Sequence, residues 1–518
     1  MNAADWSWLS VIEGPRDVAA ALQREQTAWQ SVGKPPRKSH GALSSIWSSG
    51  WQSFNAADLP LEGLIAVIHS TESTAGSAYS SQFTHFKAHR VPIHVARRLF
   101  KNYQDELLPR FPCFLVEDLN HYFDQFYDEE PSEPPGATMP NFVVPMILAI
   151  SSLTSNSHNF AKVAALSESL YADAMRHVRL LKQSSIQSLQ CILLLIELGL
   201  LLPYIVNCWY TTGEAMRMAV SLGLHQEPDP ATVPNPVHAE LRRKIFWTIY
   251  QLDRTVAIAA GCPVAISDEH ITTQLPFNGD DPHSNPEGLG LQRSHNFKEI
   301  EFLVHTRVRI IQSQIHGIQF FDQALPSDAE DYDGWVRDTD GLIDNLVHQV
   351  AADGLARSRL EASAHQCQVL LHRPCSRNIT VSESSLIAAA SSCIRLIKSH
   401  MKVVQSGGFV MVFELANSAF QAGMVLLYAL RNHATELERT MILTPGHETL
   451  QVLGQLLDLL SVRWPAVSDT AHYIRELADT CLRNPIGHDG SAYDMSISMS
   501  RQRNRKTPFN QTRMQILN

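Results

Sequence analysis

Apolar residues recur every three or four positions over most of this chain, which is the spacing of one face of an α-helix. The clearest case is Glu240–Ala260, where the apolar side chains that fall within one narrow helical sector are Leu241, Ile245, Ile249, Leu252 and Val256. Gly261 and Pro263 follow, and a glycine with a proline just beyond it is a typical helix end. No stretch alternates polar and apolar residues long enough to indicate a β-sheet. We therefore predict an all-α chain.

Similar patterns cover most of the sequence from about Val91 onward. They span Phe142–Leu153, Phe160–Leu181, Ile186–Leu202, Cys208–Leu224, Phe297–Gln323, Trp335–Val350, Arg357–His372, Ser384–Gln405, Phe409–Ala434 and Glu448–Leu482. They predict a large multi-helix domain of packed helical hairpins over residues 61–484, with its central motif at 213–276. Residues 1–60, rich in Ser, Trp, Gly and Pro, are predicted to be a flexible N-terminal segment. Residues 485–518 are predicted to form a disordered basic tail.

The composition indicates a chain that can bury a core and that has no overall basic charge. Hydrophobic residues make up 44% of the 518 residues and charged residues 18%, below the roughly 25% of an average globular chain. The 42 Lys and Arg against 52 Asp and Glu give a formal charge of −10. The chain as a whole therefore does not attract phosphates, and any DNA contact needs a local patch or another chain.

One apolar segment, Cys191–Tyr210, is almost long enough to cross a bilayer. It contains Glu197, Pro203 and Asn207, and a charge inside a membrane is costly. We therefore predict a helix buried in the protein, and no membrane contact. The eight cysteines are scattered without any C-x-x-C pair, so we predict neither a disulfide framework nor a cysteine zinc site, and a reducing intracellular environment.

Three patterns that could carry chemistry each lack a feature that the chemistry requires. GLGLQR, residues 288–293, lacks the third glycine of a phosphate-binding loop. His85, His89 and His94 have no neighbouring carboxylate or cysteine that would complete a metal site. The acidic run at 327–344 does not place oxygen ligands as a calcium loop does. We predict no catalytic, metal-binding or cofactor-binding residues, although folding could still bring distant carboxylates together.

The stretch from residue 213 to residue 276 combines arginines, acids and aromatic residues. In GEAMRMAVSLGLHQEP the helix is predicted to end near Gly223, which places His225 close to the negative end of the helix dipole. In the following helix the side opposite the apolar sector carries Arg243, Trp247, Tyr250 and Arg254. Guanidinium groups commonly stack on aromatic rings, so a helical core with paired charges accounts for these residues.

The order of these residues closely resembles the middle homology region of fungal-specific zinc-cluster transcription regulators. In that family A-x-R-M-A-x-x-L-G-L-H is followed by a linker, by E-x-R-R-x-x-F/W-W-x-x-Y-x-L-D-R, by G-x-P and by an acidic segment ending in L-P. LFKNYQDELLPRFPCF (99–114) and LLHRPCSR (370–377) are softer matches. The signature residues, which we interpret as structural, are Arg217, Gly223, His225, Glu240, Arg243, Trp247, Asp253, Arg254, Gly261, Pro263, Asp268 and Pro276.

The resemblance implies a nuclear transcription regulator that controls a metabolic or secondary-metabolite gene set. Members of the family usually carry, ahead of this region, six cysteines that bind two zinc ions and place a helix in the DNA major groove. No cysteine precedes Cys113 here, so no zinc-binding or DNA-binding residue can be transferred, and we expect no zinc cofactor. Either the chain acts without a DNA module of its own, or the sequence lacks an upstream exon.

The partners implied are other transcription regulators in a homo- or heterodimer, DNA through such a partner, and a small-molecule effector. The basic run Arg501–Lys506 is either a nuclear-import signal or a solvated tail. Two other classes of function stay open. The chain could be a helical ligand-binding protein or enzyme without a role in transcription, because large helical cores can hold apolar small molecules. It could also be a scaffold that binds only proteins.

Overall fold

The computed structural model describes residues 87–128, 138–154, 160–182, 184–277, 297–348, 354–375, 377–378, 381–406 and 410–483. Within these ranges there are fifteen α-helices and no β-strand, so the predicted all-α class is confirmed. The predicted flexible segment and basic tail lie outside the described residues, and the domain bounds 61–484 stay a prediction. The chain divides into two compact units, and the division falls between Ile249 and Tyr250.

The first unit contains six complete helices and the beginning of a seventh. They are α1 (Ile93–Asn102), α2 (Val116–Asp128), α3 (Met139–Thr154), α4 (Phe160–Met175), α5 (Ile186–Leu201), α6 (Cys208–Ser221) and α7 (Pro236–Ala260). Helix α3 packs against α1, α2, α4 and α5. This central position explains its sequence, because a helix that is surrounded by others is apolar on every side rather than along one stripe.

Helix α1 runs directly into a π-helical turn, Tyr103–Leu107. Tyr103 and Leu107 are buried, as the helical spacing predicts. Val95 has the helical spacing of the same apolar stripe but is 39% exposed, while the neighbouring Ala96 takes the buried position. Residues at the edge of a stripe in the first turn of a helix are the ones that periodicity alone places least well.

Helix α5 is the apolar segment that the sequence predicts to be buried, and all its side chains from Ser188 to Leu201 are indeed buried. Its one acid, Glu197, accepts a hydrogen bond on Oε1 from the Tyr103 hydroxyl at 3.2 Å and another from the Cys113 thiol at 3.9 Å. Burial raises the pKa of Glu197 well above its ordinary value. The folded protein therefore favours the protonated carboxyl group.

No α-helix in the described part of the chain is both long enough and apolar enough to cross a membrane.

The second unit contains the end of α7 and eight further helices. They are α8 (Phe297–Phe320), α9 (Tyr332–His348), α10 (Gly354–His372), α11 (Glu383–Gln405), α12 (Val412–Asn432), α13 (Ala434–Arg439), α14 (Leu443–Ser461) and α15 (Val467–Arg483). Helix α10 packs against α8, α9 and α11, and α12 packs against α11, α14 and α15. Successive helices therefore pack as hairpins, as predicted.

One hydrophobic cluster joins α8, α9 and α10 in the second unit. Its members include Val308, Ile315, Trp335, Leu360 and Leu371, all nearly inaccessible to solvent. The polar residues of α8 are buried as well, among them Arg309, whose guanidinium group pairs with Glu414 of α12. Helix α8 is therefore covered on several sides, and its charges are neutralised by other helices rather than by water.

Candidate functional site

The signature at 213–276 covers α6, α7 and the segment that follows α7. Its two glycines end these helices in the same way. Gly223 and Gly261 both have φ of +66°, and in each case the next amide donates to a carbonyl five residues back: Leu224 to Ala219 and Cys262 to Ala257, both at 2.9 Å. This is the Schellman pattern that the sequence predicts for a glycine at a helix end.

In the first unit the signature charges form pairs on a partly exposed surface. Arg243 donates from Nε to both carboxylate oxygens of Glu227, at 3.1 and 3.2 Å, and from Nη1 to Glu240 at 3.3 Å. Hydrogen bonds to Glu227 are the main reason why the pKa of Arg243 is raised. Glu240 also pairs with Lys244, one turn further along α7, at 4.0 Å. Arg217 pairs with Glu214 on the exposed side of α6.

Two more signature positions in the first unit lie close to these pairs. Trp247 is 1% exposed, and its ring meets the ring of Phe246 edge-on at 5.5 Å between centroids. His225 is half-buried just beyond the end of α6. The neighbouring Arg242 donates to the carbonyl of Leu222 at 2.9 Å, which satisfies one of the last backbone acceptors of that helix.

In the second unit the signature forms a buried polar network, which we call the Arg254 network. Its side chains are Tyr250, Asp253, Arg254, Asp268 and Ser313. Arg254 has no exposed surface. It donates to Asp253 at 2.9 Å, to the carbonyl of Ile266 at 2.7 Å and to Asp268 at 2.9 Å. Asp253 also accepts from the amide of Ala265 at 3.1 Å.

Asp268 is the second centre of the Arg254 network. The hydroxyl groups of Tyr250 and Ser313 each donate to it at 2.7 Å, on different carboxylate oxygens. The guanidinium group of Arg254 also lies over the Tyr250 ring, 3.8 Å from its centroid. The predicted arginine–tyrosine stack is therefore present. Residues 265–268 are tied to both α7 and α8 by these bonds.

The charges in this network support one another. Burial raises the pKa of Asp253, although the adjacent Arg254 opposes the shift. Burial lowers the pKa of Arg254, but Tyr250, Asp253 and Asp268 outweigh it and the pKa ends above its ordinary value. A buried cation that is held in this way by two carboxylates and a carbonyl positions the backbone rather than leaving a free group for chemistry.

The remaining signature prolines frame the segment after α7. Pro263 lies two residues after Gly261 and is exposed. Pro276 follows the short 3₁₀ turn Asp268–His270 and is buried. The arrangement leads the chain out of α7, past the Arg254 network and back into the core at Leu275.

The described residues contain no group of three His, Cys, Asp or Glu side chains that could hold a metal ion. His89 lies 3.8 Å from the Phe126 ring between centroids, and burial lowers its pKa. His94 is exposed, and His85 lies outside the described residues. The seven cysteines whose side chains are described are buried free thiols, four of them in helices and three in the connecting segments.

Periodicity did not identify every partner of the Arg254 network. Ser313 lies on α8, 45 residues beyond Asp268 in the chain, and nothing in its local sequence distinguishes it from other serines. The carbonyl of Ile266 and the amide of Ala265 are likewise backbone groups that no residue-type pattern can indicate.

The region of this chain that matches known proteins includes the signature at 213–276. Residues 98–348 match the model of the fungal specific transcription factor domain. A positive regulator of purine utilization from Emericella nidulans is 29% identical over 171 residues, which cover 27% of this chain and 16% of that protein. The pyrimidine pathway regulatory protein 1 of Saccharomyces cerevisiae is 30% identical over 171 residues, covering 31% of this chain and 19% of that protein.

A transcriptional regulatory protein of Schizosaccharomyces pombe matches over a longer stretch, at 23% identity over 338 residues, or 60% of this chain and half of that protein. The first two alignments, in contrast, span less than a fifth of each relative. The match of the domain model over residues 98–348 confirms the resemblance seen in the sequence. Over residues 98–348 this chain carries the fungal specific transcription factor domain.

Proposed function

We propose that this protein regulates transcription in the nucleus, controls a metabolic or secondary-metabolite gene set, and is not an enzyme. The proposal rests on the observation that the buried charges of the signature are paired inside the domain. The residues that could have formed a catalytic group, Asp253, Arg254 and Asp268, bond to one another and to the backbone. Such a domain presents a fixed surface rather than a reactive centre.

The choice of a metabolic gene set is supported by the names of the relatives. One is a regulator of purine utilization and another a regulator of the pyrimidine pathway. Both names describe control of genes for small-molecule metabolism. We extend that description to this chain as part of the proposal.

We also propose that DNA is reached through a partner, such as another transcription regulator in a homo- or heterodimer. The formal charge of −10 gives the chain no general attraction for phosphates. The cysteines with described side chains are buried free thiols, and the described residues contain no group of three metal-binding side chains such as a zinc site needs. Both observations favour recruitment by a second protein.

The test is genome-wide chromatin occupancy of the tagged protein in its own host, together with transcript profiles after deletion of the gene. We expect discrete occupied promoters and changed transcripts for the genes beside them. A matched pair of variants shows whether the folded domain is needed: Trp247→Ala removes a core side chain, and Val237→Ala changes an exposed residue on the same helix. Occupancy should fall for the first variant only.

Absence of occupancy by an abundant, folded wild-type protein would contradict the proposal. A turnover of metabolites by the purified chain, with unchanged transcripts in the deletion strain, would establish the enzyme alternative instead. Exclusion from the nucleus with protein partners bound would indicate a scaffold. Occupancy that disappears when a co-purifying regulator is deleted would support recruitment by that partner.

A further inference from the structure

Within the described residues Arg373, in the second unit, has no acidic partner, unlike the buried Arg254. It follows α10 in the segment LLHRPCSR and is half-buried. Its guanidinium carbon lies 4.5 Å from the centroid of the Phe320 ring. The ionisable groups that face it are the thiol of Cys375 and the phenol of Tyr332. Among the described residues its Nε–H has no hydrogen-bond acceptor.

A cation in this position is costly because it is partly removed from water without a compensating anion. Burial lowers the pKa of Arg373 to about 10. The guanidinium nevertheless stays charged at neutral pH. An arginine presents a planar fork of donors that matches a carboxylate or a phosphate. An anion from outside the described residues would complete this arrangement.

Two other polar atoms near this arginine also lack partners within the described residues. The indole Nε1–H of Trp335, a residue that is 3% exposed, has no acceptor. The Trp335 ring lies 5.4 Å from that of Tyr332. His316 is held by the carbonyl of Cys262 at 2.9 Å from Nε2, and its Nδ1 is unpartnered.

The tautomer of His316 follows from that contact. A carbonyl only accepts, so Nε2 carries the proton and Nδ1 offers a lone pair. Burial lowers the pKa of His316 to about 4, and the charge of Arg373 acts in the same direction. The imidazole is therefore neutral, and its Nδ1 is free to accept a hydrogen bond.

Hydrogen bonds and close contacts connect several of these side chains to one another. Gln319 donates to the Tyr332 hydroxyl at 3.3 Å and to the carbonyl of Leu371 at 2.8 Å. Tyr332 in turn lies 3.5 Å from the thiol of Cys375. Residues from α8, α9 and the segment after α10 thus meet at one place, where the Phe320 ring covers one face of the Arg373 guanidinium group.

We infer that this group, the Arg373 cluster, binds a small organic anion whose carboxylate or phosphate pairs with the Arg373 guanidinium. The cluster consists of His316, Phe320, Tyr332, Trp335, Arg373 and Cys375. The aromatic rings favour a ligand with a flat apolar part next to its anionic group. The inference rests on the proposed function only where it takes this anion to be the effector of the regulator.

The test uses benzoate and phenyl phosphate as probes, with benzamide as the neutral control, on the purified full chain. Binding is followed by titration calorimetry and by the thermal midpoint. For fragments of this size we expect a Kd between about 0.1 and 10 mM. At least one of the two anions should bind saturably, and benzamide should bind about tenfold more weakly or worse. The stronger anion distinguishes a carboxylate from a phosphate site.

The matched variants are Arg373→Gln and Arg377→Gln, which remove the same charge from the same segment. Arg377 is exposed, so its variant should bind as the wild type does. Arg373→Gln should weaken anion binding about tenfold or more. A merely structural arginine would behave differently: its loss would lower the thermal midpoint of the free protein, whereas loss of an unpaired cation should leave that midpoint within about 4 °C.

If Arg373→Gln fails to fold, Arg373→Lys and the benzamide control carry the test. The lysine keeps the charge but loses the fork, so binding should be weakened but not abolished. The inference is overturned by the absence of saturable binding up to about 10 mM, by equal binding of benzamide, or by unchanged binding in a folded Arg373→Gln. Promoter occupancy without anion binding removes this inference alone, and anion binding without occupancy removes only the proposed function.

Discussion

In each unit of this protein a buried acid belongs to a polar group that also contains a tyrosine, but among the described residues only the second unit supplies a cation to that group. In the first unit Glu197 meets the Tyr103 hydroxyl and the Cys113 thiol. In the second unit Asp253 lies against the fully buried Arg254. The first arrangement stabilises a protonated carboxyl group, whereas the second stabilises a charged pair. Burial raises the pKa of both acids, but only in the second unit does the loss of one partner leave an uncompensated buried charge.

The largest effect is expected from Arg254→Ala. This change leaves Asp253 buried without its cation and frees the carbonyl of Ile266, so the second unit should lose about 3–5 kcal/mol of stability. The thermal midpoint should fall by about 10 °C, and amide hydrogen exchange should increase first in peptides from residues 250–277. An unchanged midpoint would mean that the network does not hold this segment.

The second effect concerns Glu197→Gln, which replaces a titrating buried acid by a neutral amide. Burial raises the pKa of Glu197 above its ordinary value of 4.5, so the folded state holds a proton that the unfolded state releases. The stability from this site is complete below pH 4.5 and is lost as the pH rises toward the raised pKa. The wild type should lose up to about 1.4 kcal/mol per pH unit in that window.

In Glu197→Gln this contribution to the pH dependence should disappear, because an amide does not titrate. The measurement is the free energy of unfolding of the first unit by denaturant at several pH values from 5 upward, with Glu168→Gln as a control for a less buried acid. Burial raises the pKa of Glu168 as well, but its side chain also accepts a bond from Tyr204 that opposes the shift. Parallel curves for the wild type and Glu197→Gln would contradict the protonated state.

The third pair, Gly223→Ala and Gly261→Ala, compares the two helix ends at the same φ of +66°. Each substitution should cost about 1–2 kcal/mol, because an alanine is strained in the left-handed region. A Cβ at Gly223 would meet no atom within 4 Å, so that variant isolates the backbone cost. Thermal melting of both variants gives the comparison. A neutral Gly223→Ala would show that this helix end relaxes instead.

The smallest effect is expected for Arg243→Ala, which removes the partly exposed pairs with Glu227 and Glu240. Such pairs are screened by water and contribute about 0–1 kcal/mol. Melting curves at low and high salt should show a small difference from the wild type that shrinks as salt rises. A loss comparable to that of Arg254→Ala would remove the distinction between the two halves of the signature.

Local pattern was enough to predict the elements that depend only on neighbouring residues. The left-handed conformations of Gly223 and Gly261, the burial of Trp247 and the stack of Arg254 on Tyr250 all follow from spacing along one or two helices. Val95 has the spacing of a buried stripe but lies at its edge, and its side chain is exposed. Contacts made by distant segments could not be predicted.

The Arg373 cluster shows why. Its side chains come from positions 316 to 375, and the argument for a ligand depends on what Arg373 lacks. The absence of an ion pair cannot be recognised from the order of residues in the chain. The same holds for Ser313, whose bond to Asp268 exists only after α8 has packed beside the end of α7.

The Arg254 network has a consequence for how such sequences diverge. Because each member satisfies several others, a lineage that changes one of them passes through an intermediate with a stranded buried charge. Exchange of the whole set for apolar residues can be neutral, but it requires several substitutions at once. Drift is therefore slow at these positions even when no ligand, substrate or nucleic acid touches them. A motif of this kind can therefore be retained because the substitutions that lead from one stable core to another pass through unstable intermediates.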